Sequence, residues 1–208
     1  QQVKLQTLEL ISTRNNIIEK LGRAAEFKDN ETGNHVKRMS KYAYVLANAL
    51  GMGESTADML KNAAPMHDIG KIGVPDHILK KAGKLNDEEW QIMKEHAAFG
   101  GEILDEIDPS PLMEMAKAVA ITHHEKWDGS GYPNGLKADK IPLVGRIVAI
   151  ADVFDALTSS RPYKPAWTIE STIELIKNES GKHFDPELVT CFLENLDEIL
   201  AIKAQFSE

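Results

Sequence analysis

Apolar residues recur at intervals of three and four along most of the chain, which is the repeat of one buried face of an α-helix. A clear example is the series Val36, Met39, Ala43, Leu46 and Leu50. Similar series follow, and each contains a histidine or an aspartate on the apolar face. No stretch alternates between apolar and polar residues for long enough to predict a strand. The pattern therefore predicts an all-α protein.

Local signals mark where several helices begin and where loops intervene. Asn86 followed by Glu89 is typical of a capping box, and Asp185 before Pro186 places an acceptor and a proline where a helix starts. Glycine and proline are concentrated in 69–86 and 128–142, which we predict to be loops.

The first 25 residues predict a helix with Leu8, Ile11, Ile18 and Leu21 at mixed helical spacings. Two interpretations stay open: a surface helix that packs on its own domain, or a signalling helix that pairs with a second chain and leads to an upstream sensor domain. The chain starts at Gln1 and shows no secretory signal pattern, so we expect a piece of a longer protein, or a processed one. We divide it into a linker or signalling helix, 1–21, and one domain, 22–208.

Composition excludes several classes of protein. The 208 residues include 24 basic and 32 acidic side chains, giving a formal net charge of −8, which argues against a nucleic-acid polymer as partner. One cysteine excludes a disulfide framework and a cysteine-based zinc site. No run of about 20 apolar residues predicts a membrane span.

The histidines suggest metal binding. Five of them and two aspartates fall at or beside apolar helix faces, and Glu31 precedes the first histidine by one helical turn. Buried charges are costly unless they are paired or bind metal, and imidazole with carboxylate suits Zn, Fe, Mn, Co or Ni. Eight such side chains exceed one tetrahedral site and fit two ions, or three, with a bridging carboxylate. The set is Glu31, His35, His67, Asp68, His96, His123, His124 and Asp152. His77 and His183 fall outside it, and we predict both at the surface.

Ordered motifs carry a resemblance to a known family. Residues 67–73 read HDIGKIG and resemble the HD phosphohydrolases, while 123–133 read HHEKWDGSGYP and resemble the defining motif of the HD-GYP family. Blocks at 31–38, 150–164 and 181–186 match its other motifs in order. Two departures are Ala138 where glycine is usual and Gly145 where alanine is usual.

The resemblance implies a cytoplasmic bacterial signalling enzyme built as an HD-domain helical bundle with additional C-terminal helices. It implies a metal-dependent phosphodiesterase that hydrolyses cyclic di-GMP to pGpG and then to GMP. It also implies that the eight side chains above are ligands, with Asp68 bridging two ions. Glu31 favours a third ion, and iron is expected, with manganese as the alternative.

The chemistry gives roles to residues around these ligands. Two ions can hold a hydroxide for in-line attack on a phosphodiester. Lys71, one turn past Asp68, could place its ammonium beside the scissile phosphate, so we predict Asp68 and Lys71 as catalytic.

Other residues are candidates for substrate binding. Arg161 and Lys164 could bind the second phosphate. Arg38 could bind a phosphate or pair with Asp29, and Asp155 could orient a histidine, a guanine or Lys71.

The glycine-rich loop after the histidine pair has two interpretations. Gly131 and Tyr132 could shape the pocket rim, or could contact the dinucleotide or a partner such as a diguanylate cyclase.

Three alternatives stay open. The substrate could be another cyclic dinucleotide, such as cyclic GMP-AMP. The chain could be a non-catalytic module that senses the dinucleotide or docks a partner. An HD-domain di-iron oxygenase uses similar ligands, but the Gly-Tyr-Pro block and the Arg161-Pro162-Tyr163 motif argue against it.

Overall fold

The structure is a computed structural model that describes residues 2–28, 33–107, 109–160 and 165–206. Its regular elements within these ranges are helices, with an isolated bridge between Ser180 and Phe184 and no strand, so the all-α prediction is confirmed. None of the described helices is both long and apolar enough to cross a membrane. The α-helices are α1 Gln2–Lys28, α2 Gly33–Ala49, α3 Glu54–Ala63, α4 Asp76–Leu79, α5 Asp87–Lys94, α6 His96–Ile103, α7 Pro111–Thr122, α8 Leu143–Thr158, α9 Ile169–Asn178, α10 Pro186–Glu194 and α11 Leu196–Gln205.

The main core lies between α2, α3 and α8 and is closed by α10. Tyr42 of α2 meets Phe154 of α8 edge-on at 5.6 Å, and Phe154 meets Phe192 of α10 at 5.2 Å between ring centroids. All three rings are fully buried, together with Leu46. Burial of each such side chain stabilises the fold by about 1.5–3 kcal/mol. This core fixes α2 and α8 relative to one another, and these two helices carry candidate ligands.

A second core joins the end of α1 to the rest of the domain. Ile18 and Ala25 are buried against a cluster that includes Met66, Ile69 and Leu104. Gly22 lies so close to Pro65 that a Cβ there would be 2.4 Å from the proline carbonyl oxygen. The predicted first helix is therefore present and its last turns pack on the domain, while the division at residue 21 stays a prediction.

The two predicted loops differ in regularity. The segment 69–86 contains a 3₁₀ helix at Ile69–Gly73 and the short α4, whereas 128–142 is irregular apart from one turn, Ala138–Lys140. The 3₁₀ helix packs closely on α6, where a Cβ on Gly70 would lie 1.9 Å from the His96 carbonyl oxygen.

The predicted helix caps are both formed. The side chain of Asn86 accepts from the Glu89 amide at 2.8 Å, and the Glu89 carboxylate accepts from the Asn86 amide at 2.9 Å. Asp185 accepts from the Glu187 amide at the start of α10.

The two departures from the family pattern lie at positions where backbone conformation or close packing restricts the side chain. Ala138 adopts φ 52°, a region that favours glycine. Gly145 lies where a Cβ would be 2.0 Å from Thr122 Oγ1. An alanine at 145 would therefore collide with Thr122.

Candidate metal centre

The candidate ligands lie at helix ends and on helix faces that converge on one region. His67 follows the 3₁₀ turn Ala64–Met66, Asp68 precedes the 3₁₀ helix at 69–73, and His96 opens α6. His123 and His124 follow α7 directly. The sequence folds this way because apolar residues in the same helices are buried, which carries the adjacent polar side chains inward.

Asp68 occupies the middle of the group. Its Oδ1 atom is 3.4 Å from His96 Nε2 and 3.6 Å from His123 Nε2. Its Oδ2 atom is 3.1 Å from His67 Nε2 and 2.8 Å from Lys71 Nζ. The two oxygens therefore face different histidines, which is the arrangement that a bridging carboxylate requires.

Four imidazoles are oriented by their Nδ1 atoms. Nδ1 of His67 donates to the Ala64 carbonyl at 3.0 Å, and Nδ1 of His96 donates to the Met93 carbonyl at 2.7 Å. His123 Nδ1 lies 3.1 Å from two carbonyl oxygens of α7, and His35 Nδ1 lies 2.8 Å from Asp155. A proton held on Nδ1 leaves the Nε2 lone pair available, which is the tautomer that binds a metal.

Several polar atoms at the centre have no hydrogen bond in the described part of the chain. They are the Nε2 atoms of His67, His96 and His123 and the Oδ1 atom of Asp68, and all are buried. Leaving such groups buried and unsatisfied costs about 1–3 kcal/mol each. Cations between them would satisfy all four atoms, so the residues present fit a metal site.

The potential ligand atoms fall into two groups, in each of which all ligand atoms lie within 4.8 Å of one another. One group is Asp68, His96, His123 and His124. The other is Glu26, His35 and His67. Oxygen and imidazole nitrogen without thiolate suit transition metals such as Fe, Mn or Zn. The described residues therefore provide two adjoining sites for metal ions.

Asp152 lies beside the second group. Its Oδ1 atom is 3.4 Å from His35 Nε2. The structure thus brings Asp152 and His35, both predicted ligands, close together.

Protonation differs across the centre. Burial, with His123 nearby, lowers the pKa of His96 to about 4, and burial places the pKa of His124 well below its usual range. Burial also opposes the charge on His67, but the adjacent Asp68 outweighs it and raises the pKa of His67 to about 9. Despite its burial, Asp68 has a pKa held well below the usual range by Lys71 and His67. At neutral pH His96 and His124 are ready to bind metal, whereas His67 must release a proton.

Arg38 and Asp155 form a buried ion pair beside this centre. Arg38 Nε and Nη2 donate to the two carboxylate oxygens of Asp155 at 2.7 and 2.8 Å, and Nη1 donates to the Phe206 carbonyl. Although burial opposes its charge, His35 and Arg38 lower the pKa of Asp155 to about 2. The structure directs Arg38 toward Asp155 and directs Asp155 toward His35. This favours, among the predicted roles of Asp155, the one in which it orients a histidine, and it favours a positioning role for Arg38 over a phosphate contact. Asp29, the other predicted partner of Arg38, lies outside the described residues.

The loop 129–133 packs directly on the histidines. The Tyr132 ring stacks on His124 with 4.7 Å between centroids and 27° between planes. A Cβ on Gly131 would lie 2.3 Å from the Lys126 amide nitrogen, so the backbone here requires glycine. Buried Glu125 holds the loop by accepting from the amides of Asn134 and Leu136. The loop therefore shapes the wall of the metal centre.

Comparison with known proteins gives the family. A family model described as an HD domain matches residues 19–188. The chain belongs to the HD domain family. Its similarity to curated proteins places it in the HD-GYP group of that family.

Two curated relatives come from Vibrio cholerae. The chain is 49% identical over 201 residues to 3'3'-cGAMP-specific phosphodiesterase 2, an alignment covering 97% of this chain and 38% of that protein. It is 42% identical over 212 residues to a cyclic di-GMP phosphodiesterase, covering 96% of this chain and 43% of that protein. The HD-GYP chain thus spans less than half the length of these relatives.

A solved structure shows the same fold. The crystal structure of a cyclic GMP-AMP specific phosphodiesterase of V. cholerae superposes with a TM-score of 0.70 at 20% identity, over 93% of this chain and 51% of that one.

Most of the predicted site residues lie at the centre, and three lie outside the described residues. In this HD-GYP domain His35, His67, Asp68, His96, His123, His124, Asp152 and Lys71 are brought together. Glu31, Arg161 and Lys164 lie outside the described residues, and their roles stay predictions. His77 is exposed as predicted, whereas His183 is partly buried, with its ring stacked on Phe184 at 4.3 Å.

Glu26 is the member of the centre that the sequence reasoning missed. It is buried to 1% exposure on α1 and belongs to the group with His35 and His67. A signal was present, since Ile18, Gly22 and Glu26 follow one another by four residues on one helix face. A carboxylate that continues a buried stripe is unusual and requires a partner.

Proposed function

We propose that this chain is the catalytic module of a phosphodiesterase that cleaves cyclic di-GMP to pGpG and then to GMP. The observation that carries the proposal is Asp68, whose two oxygens face the two ligand groups while one of them also contacts Lys71. Bound ions would supply Lewis acidity that lowers the pKa of a bound water and offsets phosphate charge. Iron is the metal we propose, with manganese as the alternative.

Two side chains at the centre, Lys71 and Tyr132, are proposed to contact the substrate. Lys71 Nζ lies 2.8 Å from Asp68 Oδ2, which places the ammonium beside the central carboxylate. We propose that it contacts a phosphoryl oxygen of the substrate and offsets negative charge as the phosphodiester is cleaved. Tyr132, packed on His124, would limit the space for the nucleotide on the side of the first ligand group.

Cyclic GMP-AMP is the second candidate substrate. The relative at 49% identity is specific for 3'3'-cGAMP, whereas the relative at 42% identity is a cyclic di-GMP phosphodiesterase. The two dinucleotides share the phosphodiester ring and differ in one base. The metal centre would bind the phosphodiester of either dinucleotide in the same way. Residues that contact the bases would then determine which dinucleotide is the preferred substrate.

Parallel turnover measurements test both proposals. Protein loaded anaerobically with Fe(II) or with Mn(II) is incubated with each dinucleotide at equal concentration, and linear products and mononucleotides are separated by chromatography. We expect higher kcat/KM for cyclic di-GMP, with pGpG formed before GMP. Preference for cyclic GMP-AMP would support the second candidate. Absence of turnover of either nucleotide by fully loaded protein would contradict the phosphodiesterase proposal.

A matched variant pair links turnover to the centre. Asp68→Asn removes the charge of the central carboxylate at almost constant volume, and Glu102→Gln makes the same change on exposed Glu102 of α6. We expect Asp68→Asn to abolish hydrolysis and Glu102→Gln to leave it unchanged.

We also propose that α1 connects this module to another domain of a longer protein and pairs with α1 of a second copy. Val3, Leu10 and Ile17 are exposed and recur every seven residues, the spacing of a helix that pairs with another helix. Light scattering of the chain and of an Ile17→Lys variant tests the pairing, because the substitution should convert dimer to monomer.

A further inference from the structure

Glu26 reaches the metal centre from α1, outside every motif of the sequence. Its Oε1 atom lies 3.6 Å from Nε2 of His35, and both side chains are almost completely buried. Its ligand atom lies within 4.8 Å of those of His35 and His67. We propose that Glu26 is a direct carboxylate ligand of the metal ion held by His35 and His67.

The chemistry of the second group supports this assignment. His35 and His67 supply two nitrogen atoms, and Asp152 lies 3.4 Å from His35. Two neutral imidazoles with two carboxylates would offset the charge of a divalent ion and match the donor set that Fe and Mn accept. A carboxylate at 1% exposure is costly to bury unless it is paired or binds a metal, and an ion in this group would lower that cost for Glu26.

The fold holds Glu26 in register with His67. One turn earlier in α1, Gly22 lies against Pro65, two residues before His67. Two residues after Glu26, Lys28 Nζ donates to the carbonyl oxygens of Lys71, Ile72 and Val74 at 3.2, 2.8 and 2.7 Å. Contacts on both sides of Glu26 therefore fix α1 to the segment that contains His67 and Asp68.

The attachment of α1 at Glu26 would make metal binding depend on the position of this helix. Most of the described side chains in the N-terminal half of α1 are exposed, whereas the last turns carry the proposed ligand. A shift of α1 along its axis would move Glu26 relative to His35 and His67, which lie on other elements. Metal occupancy of the second group would then respond to the position of α1.

Metal binding by variants tests the assignment without any nucleotide, so the result does not depend on the proposed function. Glu26→Gln keeps the size and shape of the side chain but removes the anionic ligand. Glu9→Gln on the exposed part of α1 is the matched control, and Glu31→Gln tests the position that the motif predicts. Each protein is titrated anaerobically with Mn(II) by calorimetry, and retained metal is measured by elemental analysis after desalting.

We expect Glu26→Gln to lose one ion per chain, or to bind that ion at least tenfold more weakly, while Glu9→Gln matches the wild type. Glu26→Asp, which keeps the carboxylate, should retain more metal than Glu26→Gln. The proposal is overturned if folded Glu26→Gln binds the same number of ions with the same affinity as the wild type, whatever Glu31→Gln does. If Glu26→Gln does not fold, Glu26→Asp is used instead, because it withdraws the carboxylate from the centre by one methylene. We then expect metal to raise the melting temperature of Glu26→Asp less than that of the wild type. An equal rise in the two proteins would contradict the assignment of Glu26 as a ligand.

Discussion

Asp155 accepts hydrogen bonds from Nε and Nη2 of Arg38 at 2.7 and 2.8 Å, and its Oδ2 atom also lies 2.8 Å from Nδ1 of His35. One buried acid therefore holds a guanidinium on one side and a candidate metal ligand on the other. Arg38 and His35 lie one turn apart on α2, while Asp155 lies one turn after Asp152 on α8. The ion pair thus sets the relative position of the two helices at the centre.

Substitution of Asp155 should reduce both stability and metal binding. Asp155→Asn leaves the buried Arg38 guanidinium without its counter-charge, which typically costs about 3–5 kcal/mol. It also weakens the acceptor that keeps the proton of His35 on Nδ1, so we expect metal affinity to fall about 10–100-fold. Denaturant unfolding of metal-free protein and metal titration measure the two effects.

A double-substitution cycle separates these effects. Arg38→Gln with Asp155→Asn removes both charges, and we expect it to be less destabilised than the sum of the two single changes. Additive losses would contradict the importance of the ion pair, and unchanged metal affinity would contradict the positioning role of Asp155.

Substitution of Lys71 should reduce turnover without reducing metal content. Lys71→Gln removes the ammonium beside Asp68 but no candidate ligand, so we expect metal content to be kept within error and kcat to fall about 10²–10³-fold. Lys80→Gln, on an exposed lysine of the same segment, is the control and should keep both. Elemental analysis and turnover are measured on the same preparations. Loss of metal in Lys71→Gln in proportion to activity would show that Lys71 acts through the centre and not on the substrate.

Much of this centre could be predicted from the sequence because its histidines lie in, or directly after, segments with strong helical patterns of apolar residues. His67 and His123 end series of apolar residues at intervals of three and four, and this helical periodicity predicted that both face the interior, where they are buried. The all-α fold and both caps followed from the same kind of local signal.

What the sequence did not reveal depends on contacts between distant segments. Glu26 and His67 are 41 positions apart, and the packing of α1 on the segment around His67 brings them together. The pairing of Arg38 with Asp155 joins residues 117 positions apart, so nothing local distinguishes it from a phosphate contact. His183 follows two exposed residues, Gly181 and Lys182, as in a surface turn, but its ring stacks on Phe184, which is buried in the main core.

Partial burial of His183 predicts a pH effect on stability. Burial, with Lys126 nearby, lowers its pKa from the usual 6.5 to about 4 in the folded protein. Between these values the unfolded chain binds a proton that the folded chain does not, so stability falls as pH is lowered from about 6.5 to about 4. We expect roughly 2–3 kcal/mol from this residue across that window.

His183→Gln, which does not titrate, should flatten the dependence. Denaturant midpoints of metal-free protein are measured from pH 7.5 to 4.5 for the variant and the wild type. The difference between their slopes isolates His183 from His96 and His124, which shift in the same direction. Parallel curves for the two proteins would contradict the prediction.

Gly22 provides a test of the link between α1 and the metal centre that touches no ligand. In an exposed helix, glycine to alanine would favour folding by about 1 kcal/mol. At position 22, however, the new Cβ would lie 2.4 Å from the backbone oxygen of Pro65, which cannot rotate away. Gly22→Ala should therefore displace α1, reduce stability by about 1–3 kcal/mol, and lower metal occupancy because Glu26 moves away from His67.

Arg23→Ala, at the exposed next position, is the matched control and should change neither quantity. Thermal unfolding and elemental analysis are carried out on both variants under the same loading conditions. Gly22→Ala protein with normal stability and full metal content would show that α1 can shift without consequence for the centre. Loss of stability with full metal content would show that Glu26 follows His67 when the helix moves, and so would rule out control of occupancy by α1.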